Sequence, residues 1–355
     1  MTLNDVGYNE RIDRIIAGQD ADGLQIGRVI SEQKERYIVV TESGELEAEI
    51  TGNMRFSAQG REDFPAVGDW VFLSVCDTGF GIITRILPRC SVIKRRAAGR
   101  SDEAQIIATN IDYALIVQAA DANFNLNRID RYLAICSDSG IQSMIVITKI
   151  DLFPESKIAE IAAALQNRIP GVPAILLSNE TEIGLDLLRN KILKGTTWCM
   201  LGSSGVGKSS LLNKLSKKDV MKTGEISSST SKGRHTTSYR ELVVLESGGI
   251  LIDNPGMREV GLTDDASASG TVFDTIRALA SHCRFADCTH THEAGCAVLG
   301  ALESGELDRD VYNSFIKLEK EKQFFAMSRA DHRKKDKDFG KMVKNYKREK
   351  NLHKF

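Results

Sequence analysis

Residues Gly202-Ser203-Ser204-Gly205-Val206-Gly207-Lys208-Ser209-Ser210 contain the pattern G-x-x-x-x-G-K-[ST], which is built to hold a polyphosphate. Its glycines let successive backbone N–H groups converge on phosphate oxygens, and a following helix points its positive end at the same anion. Lys208 supplies a point charge for the β and γ phosphates, and the Ser209 hydroxyl is a ligand for Mg²⁺. The apolar run Trp198–Leu201 precedes the loop, and Leu211, Leu212 and Leu215 follow at helical spacing. The strand–loop–helix context therefore predicts a nucleotide site rather than a plain glycine turn.

The base is chosen elsewhere. Thr148-Lys149-Ile150-Asp151 directly follows the apolar run Met144–Ile147, in the manner of an [NT]KxD element. There the Asp151 carboxylate accepts from guanine N1–H and from its exocyclic amine. Adenine offers no such pair of donors, so the carboxylate would be left unpaired at a cost of roughly 1–3 kcal/mol or more. Lys149 would lie along the base plane. Thr148 stands where asparagine is commoner, which leaves the contact of its side chain open. Ser178-Asn179, after Ile175-Leu176-Leu177, offers a backbone contact to the guanine oxygen.

In the familiar arrangement the base-reading element follows the phosphate loop by about a hundred residues; here Asp151 precedes Lys208. Arg333-Lys334-Lys335-Asp336 has no apolar strand before it and is no substitute. The order is base, phosphate, switch: a circular permutation. Asp253-Asn254-Pro255-Gly256 follows the strand Ile250–Ile252 and reads as DxxG, with Asp253 holding Mg²⁺ through water and the Gly256 N–H sensing the γ-phosphate. In Gly233-Arg234-His235-Thr236-Thr237, either Thr236 or Thr237 completes the Mg²⁺ shell. Met257 occupies the position of a water-orienting Gln and cannot orient water. Intrinsic hydrolysis is therefore expected to be slow and to await an activator, with His235 the candidate water-positioning group.

Cys283-x₄-Cys288-x-His290-x₅-Cys296 offers three thiols and an imidazole, a closed structural Zn²⁺ set, with His282 and His292 as substitutes for His290. Four ligands leave no open position, so one zinc per chain would act as a staple for a helical region with a thin core.

The elements that must position these groups follow from periodicity. Gly27–Ile30, Tyr37–Thr41, Leu46/Ala48/Ile50, Val67–Val75 and Ile82–Leu87 read as short strands separated by turns. They predict a small barrel of OB type, with an SH3-like barrel as the alternative. From about residue 104, strands alternate with helices: Tyr113–Val117, a helix carrying Ile129, Tyr132, Leu133 and Cys136, Met144–Ile147, a helix carrying Ile158, Ile161 and Leu165, then Ala174–Leu177 and Trp198–Leu201. Such alternation means a parallel sheet with both faces covered. Beyond residue 266 the chain reads as helical, with Leu307, Val311, Phe315 and Leu318 on one face. The expected organisation is multidomain α/β: an N-terminal extension over 1–21, an OB-type β-barrel over 22–100, a circularly permuted P-loop GTPase domain over 101–265, and a C-terminal helical zinc-binding domain with a basic tail over 266–355.

The length of 355 residues, 42% hydrophobic and 27% charged, suits a soluble multidomain protein. The net charge of −1 hides an uneven distribution, because residues 333–355 carry ten Lys/Arg against three Asp/Glu. That tail is an electrostatic footprint for RNA phosphate, and an OB-like barrel offers a nucleic-acid surface. The seven cysteines are unevenly spaced, which argues for a reducing compartment, and neither a secretory core nor a membrane-length apolar run is present. A cytoplasmic monomer without membrane contact is expected.

Together these features resemble the RsgA (YjeQ) family of small-ribosomal-subunit biogenesis GTPases over nearly the whole chain. The matching stretches are Arg95-Arg96-x-Ala98-Gly99-Arg100, Ala108-Thr109-Asn110-Ile111-Asp112, Gly202–Ser210, Gly233–Thr237 and Cys283–Val298. The resemblance implies binding to the small (30S) ribosomal subunit and its rRNA late in maturation, GTP hydrolysis to GDP stimulated by that subunit, and dealings with other assembly factors. It implies that Thr148–Asp151 and Gly202–Ser210 carry GTP with Mg²⁺, and that Cys283, Cys288, His290 and Cys296 carry zinc. Asn254, where Ser or Thr is common, and the extended N-terminus depart from the family's pattern. Two other classes compete: a GTP-dependent RNA-binding protein with little turnover, and an ATPase, which would require Asp151 to be irrelevant.

Overall fold

Between residues 25 and 86 the strands are short; Gly44–Ile50 and Phe80–Ile86 alternate buried with more exposed side chains, whereas Gln25–Gln33 carries five buried residues in a row. The computed structural model describes residues 1–21, 23–33, 36–77, 79–96, 104–122, 124–216, 240–253 and 273–326. After a short N-terminal helix α1 (Glu10–Ala17) come β1 (Gln25–Gln33), β2 (Arg36–Thr41), β3 (Gly44–Ile50), the helix α2 (Gly52–Ser57), β4 (Trp70–Asp77) and β5 (Phe80–Ile86). β1, β2 and β3 form an antiparallel meander. Thr51 then caps α2, its hydroxyl accepting from Met54 N at 3.1 Å, and the crossover through α2 sets β5 parallel to β3. β4 pairs with both β5 and β1, which closes the ring in the order 1-2-3-5-4. That order, with its parallel pair, is the OB-type arrangement rather than the SH3-like one. Val29, Tyr37, Val39, Val71, Leu73 and Ile83 fill the barrel, each contributing roughly 1.5–3 kcal/mol by leaving water. β4 begins at Trp70, later than the apolar run from Val67 suggests. Gly68 takes φ +98° against the neighbouring chain, where a Cβ would lie 2.2 Å from the Thr109 carbonyl oxygen.

A two-stranded ribbon, β6 (Val92–Arg96) and β7 (Ala104–Thr109), follows the barrel. The second layer holds β8 (Tyr113–Ala119), α3 (Leu126–Asp138), β9 (Gln142–Thr148), α4 (Glu155–Arg168), β10 (Ala174–Leu176), α5 (Leu185–Arg189), β11 (Thr197–Leu201), α6 (Lys208–Ser216), β12 (Arg240–Val244) and β13 (Ile250–Asp253). Its strand order is 10-9-8-11-13-12, parallel except for the β12–β13 pair. Strand periodicity divides each central strand between two cores. Ala114 and Ile116 of β8 face the core shared with α3 and α4, whereas Leu115 and Val117 face α5 and α6. Both faces are covered, as the alternation of elements predicts.

The barrel and the parallel sheet are one continuous eleven-stranded sheet, because the far end of β1 pairs with β12 through Ser31↔Glu241 and Glu32↔Arg240. Arg28 of β1 bolts the junction. Its guanidinium, 1% exposed, donates to the carbonyls of Val6, Gly68 and Asn110 and to the Thr197 hydroxyl. Burial pushes this guanidinium down to about 10, still charged at neutral pH. The N-terminal residues are thereby built into the junction, with Leu3, Val6 and Ile12 buried.

The last region, α7 (Asp274–Ala280), α8 (Ala297–Ser304) and α9 (Arg309–Ala326), packs onto α3. Leu307, Phe315 and Leu318 are buried and Val311 packs against the same core. Arg168 of α4 ties the layers together, pairing with the buried Asp130 of α3 at 2.7 Å and with Asp308 at 3.4 Å. No helix among the described residues is long and apolar enough to cross a membrane.

Candidate nucleotide site and metal centre

β11 is buried along its whole length and delivers Gly202 to the carboxyl edge of the sheet. The loop that follows turns through Gly205 (φ +82°) and Gly207 (φ +92°) into α6, whose first residue is Lys208. Space demands glycine here as much as torsion does. A Cβ on Gly202 would sit 2.3 Å from the Val117 carbonyl oxygen, and one on Gly207 would sit 2.9 Å from Asn179 Nδ2. Lys208 Nζ curls over the loop and donates to the carbonyls of Gly202 and Ser203, both at 2.7 Å. The cradle thus holds its cation where a polyphosphate would bind. Ser203, Ser204, Ser209 and Ser210 are partly exposed around it, Gly205 lies open and Val206 is buried.

Thr148 ends β9, two strands away, and the permuted chain brings it against this loop. Its buried hydroxyl lies 2.6 Å from the Val206 carbonyl oxygen and 3.2 Å from that of Gln118. The side chain whose contact the sequence leaves open is therefore a tether between the Thr148–Asp151 turn and the Gly202–Ser210 loop. Lys149 adopts the left-handed region (φ +61°), which turns the chain sharply, and its ammonium pairs with Asp121 at 3.3 Å. Ile150 and Asp151 then form a short 3₁₀ turn, with Asp151 exposed toward solvent.

After β10, Ser178 is buried; its hydroxyl accepts from the N–H groups of Glu180 and Thr181, each at 3.1 Å, and holds the loop in shape. Asn179 makes a second tether, Nδ2 donating to the Gly207 carbonyl at 3.1 Å. Its Oδ1 is buried and accepts no hydrogen bond among the described residues. An acceptor kept dry beside the loop fits a site completed by a donor from a ligand or its water. The sequence points only to the backbone of Asn179; the place of its side chain beside loop Gly207 exists only in three dimensions.

For the Mg²⁺ shell, Ser209 lies in the first turn of α6, and Asp253 ends β13, the parallel neighbour of β11, at the same edge of the sheet. A hydroxyl at the start of α6 and an aspartate at the end of the neighbouring strand are the oxygen-donor types that a hard cation held with a triphosphate takes. His235, Thr236, Thr237, Gly256 and Met257 lie outside the described residues, as does the tail beyond residue 326.

The cysteine cluster is assembled. The Sγ atoms of Cys283, Cys288 and Cys296 and Nδ1 of His290 all lie within 4.8 Å of one another. Cys283 and Cys296 are 3.8 Å apart, and each is 3.5 Å from His290 Nδ1. A tetrahedral zinc with bonds of about 2.3 Å to sulfur and about 2.0 Å to nitrogen requires edges near these lengths, so the donor set fits the metal. Burial holds the His290 imidazole below its usual range, favouring the neutral ligand form. Tyr312 of α9 donates to the His290 carbonyl at 2.8 Å, which locks the ligand loop onto that helix. His282 and His292 turn elsewhere, Nδ1 of the first toward the Ala278 carbonyl and of the second toward the Thr291 hydroxyl.

Comparison with known proteins agrees with this geometry. Residues 86–263 match the family described as RsgA GTPase, and residues 197–351 match one described as 50S ribosome-binding GTPase. Small ribosomal subunit biogenesis GTPase RsgA 1 of Bacteroides thetaiotaomicron is 42% identical over 346 residues, covering 97% of this chain and 96% of the relative. RsgA 2 of Lactiplantibacillus plantarum is 42% identical over 307 residues, with 86% of each chain covered. Among solved structures, YjeQ from Thermotoga maritima superposes with a TM-score of 0.62 at 23% identity, covering 86% of this chain and all of that one. YloQ, described as a circularly permuted GTPase, superposes with a TM-score of 0.59 at 25% identity, covering 87% and 99%.

Proposed function

We infer that, because this chain belongs to the RsgA family of GTPases, it binds and hydrolyses GTP in the service of small-ribosomal-subunit biogenesis. The observation that carries the reading is the double tether of Thr148 to Val206 and Asn179 to Gly207, which joins two base-side loops to a phosphate loop that comes later in the chain. Thr148–Asp151 and Ser178 serve the guanine, and Gly202–Ser210 serve the phosphates. Ser209 and Asp253 hold Mg²⁺, which when bound offsets charge on the β and γ phosphates. Cys283, Cys288, His290 and Cys296 hold zinc as a staple. The relatives that span nearly the whole chain are named for the small subunit, whereas the match described as 50S-binding starts only at residue 197.

The finer proposal is a cytoplasmic monomer that works beside other assembly factors and hydrolyses GTP slowly until the small subunit stimulates it. Met257, in the position of a water-orienting glutamine, supports slow intrinsic turnover. His235 is the proposed water-positioning group, with Thr236 or Thr237 on Mg²⁺ and the Gly256 N–H at the γ-phosphate. The same Met257 favours a second reading, a GTP-dependent RNA binder with little turnover. GTP hydrolysis by purified protein, alone and with small subunits, large subunits or free RNA, separates the two. Stimulation by small subunits alone, abolished in His235→Ala, is the expected result. Tight GTP binding without stimulation would leave the second reading standing.

A further inference from the structure

Arg128 lies in the first turn of α3, where a cation opposes the helix dipole and an acidic residue would be favoured. Its guanidinium NH1 donates to Ser203 Oγ at 2.8 Å. Ser203 is the second residue of the phosphate loop, and its carbonyl accepts from Lys208 Nζ at 2.7 Å. Two cations, one from α3 and one from α6, therefore meet on a single loop residue.

The start of α3 is fixed by a buried hydrogen-bond network. Gln118 of β8, wholly buried, exchanges two hydrogen bonds of 2.9 Å with the backbone of Asn125. Asn125 in turn caps the helix, its Oδ1 accepting from Arg128 N at 3.1 Å. The Gln118 carbonyl also faces the Thr148 hydroxyl. The base-reading turn, the α3 terminus and the phosphate loop thus form one network that fixes where Arg128 begins. A residue that breaks a local rule and is supported by a buried network is arranged for a site rather than for its helix.

We infer that Arg128 is a positioning residue for GTP hydrolysis supplied from within the chain. It orients Ser203 and adds a second positive charge at the end of the triphosphate that Lys208 serves, where negative charge builds in the transition state. The inference rests on the chain's hydrolysing GTP, not on the subunit it serves.

The test is single-turnover hydrolysis without ribosomal subunits, with GTP and GDP affinities measured alongside, for the unmutated chain, Arg128→Ala, Arg128→Lys, Ser203→Ala and the double variant. Arg128→Ala is expected to lower the hydrolysis rate on the order of 10- to 100-fold while GDP affinity stays within about threefold. Arg128→Lys should recover part of the rate, and millimolar guanidinium ion should raise the rate of Arg128→Ala alone. The double variant should be no slower than Arg128→Ala, since the two side chains act as a unit. An unchanged rate in a folded Arg128→Ala, or an equal loss of GTP and GDP affinity with the rate intact, overturns the inference. If Arg128→Ala does not fold, Arg128→Lys and Ser203→Ala decide it, and full rates in both overturn it. An unmutated chain that binds GTP without hydrolysing it sinks the enzyme reading and this inference together. An active chain indifferent to Arg128 sinks this inference alone.

Discussion

Thr148 and Asn179 both tie their loops to the phosphate-loop segment, one through a hydroxyl on the Val206 carbonyl and one through an amide on the Gly207 carbonyl, and on the proposed function these tethers join base recognition to phosphate recognition. Thr148→Val keeps the shape and removes the donor. It should weaken GTP binding about 5- to 30-fold, equivalent to roughly 1–2 kcal/mol, in a titration with a fluorescent GTP analogue, while Thr148→Ser stays near the original. Asp151→Asn tests the base itself. An amide can donate to the 2-carbonyl of xanthine but cannot accept both guanine donors, so affinity should fall on the order of 100-fold for GTP and rise for XTP in a competition titration. Lys149, turned by its left-handed backbone toward Asp121, was legible only as a motif letter; its torsion and partner are properties of the folded turn.

At the scale of elements, the contact between α3, α4 and α9 depends on Arg168. Asp130 is buried, and burial raises its pKa against the pull of Arg168. Arg168→Ala would leave that carboxylate without its partner and should cost about 3–5 kcal/mol in urea unfolding at neutral pH. The zinc region makes a parallel case. Its ligands stand at the entry to α8 and on the loop that Tyr312 locks to α9. Cys296→Ser, or treatment with a strong chelator, should reduce the zinc content from one per chain and lower helical circular dichroism. The helical faces of α3, α4 and α9 are readable from apolar spacing because helix burial follows a 3.6-residue period. β12 and the β6–β7 ribbon were not, since each strand is only five or six residues long with charged or polar residues toward one end, too short for a two-residue period to stand out.

At the scale of the molecule, one sheet runs through barrel and parallel layer, and Arg28 closes the seam. Arg28→Met should cost about 2–4 kcal/mol, because three carbonyls and a hydroxyl lose a buried donor, and should shift thermal unfolding of the whole chain rather than of one layer. The tail calls for a different experiment. Deleting residues 333–355 removes a net charge of about +7, and should both weaken binding to small subunits and flatten its dependence on salt, as loss of phosphate contacts requires.

A polyphosphate loop, a guanine-type motif, the permuted order and the metal's thiols are written in single residue types at short spacing, so the sequence alone points to them: glycine for space, lysine and aspartate for charge, cysteine for zinc. The tertiary structure decided what depends on meetings between distant segments. It chose the OB-type ring over an SH3-like one through the β3–β5 and β1–β4 pairs, set His290 rather than His282 or His292 among the thiols, and gave Thr148, Asn179 and Arg128 their partners on the phosphate loop. Those partners lie between 28 and 75 residues away along the chain, and only a strand order that runs 10-9-8-11 brings them within hydrogen-bond reach.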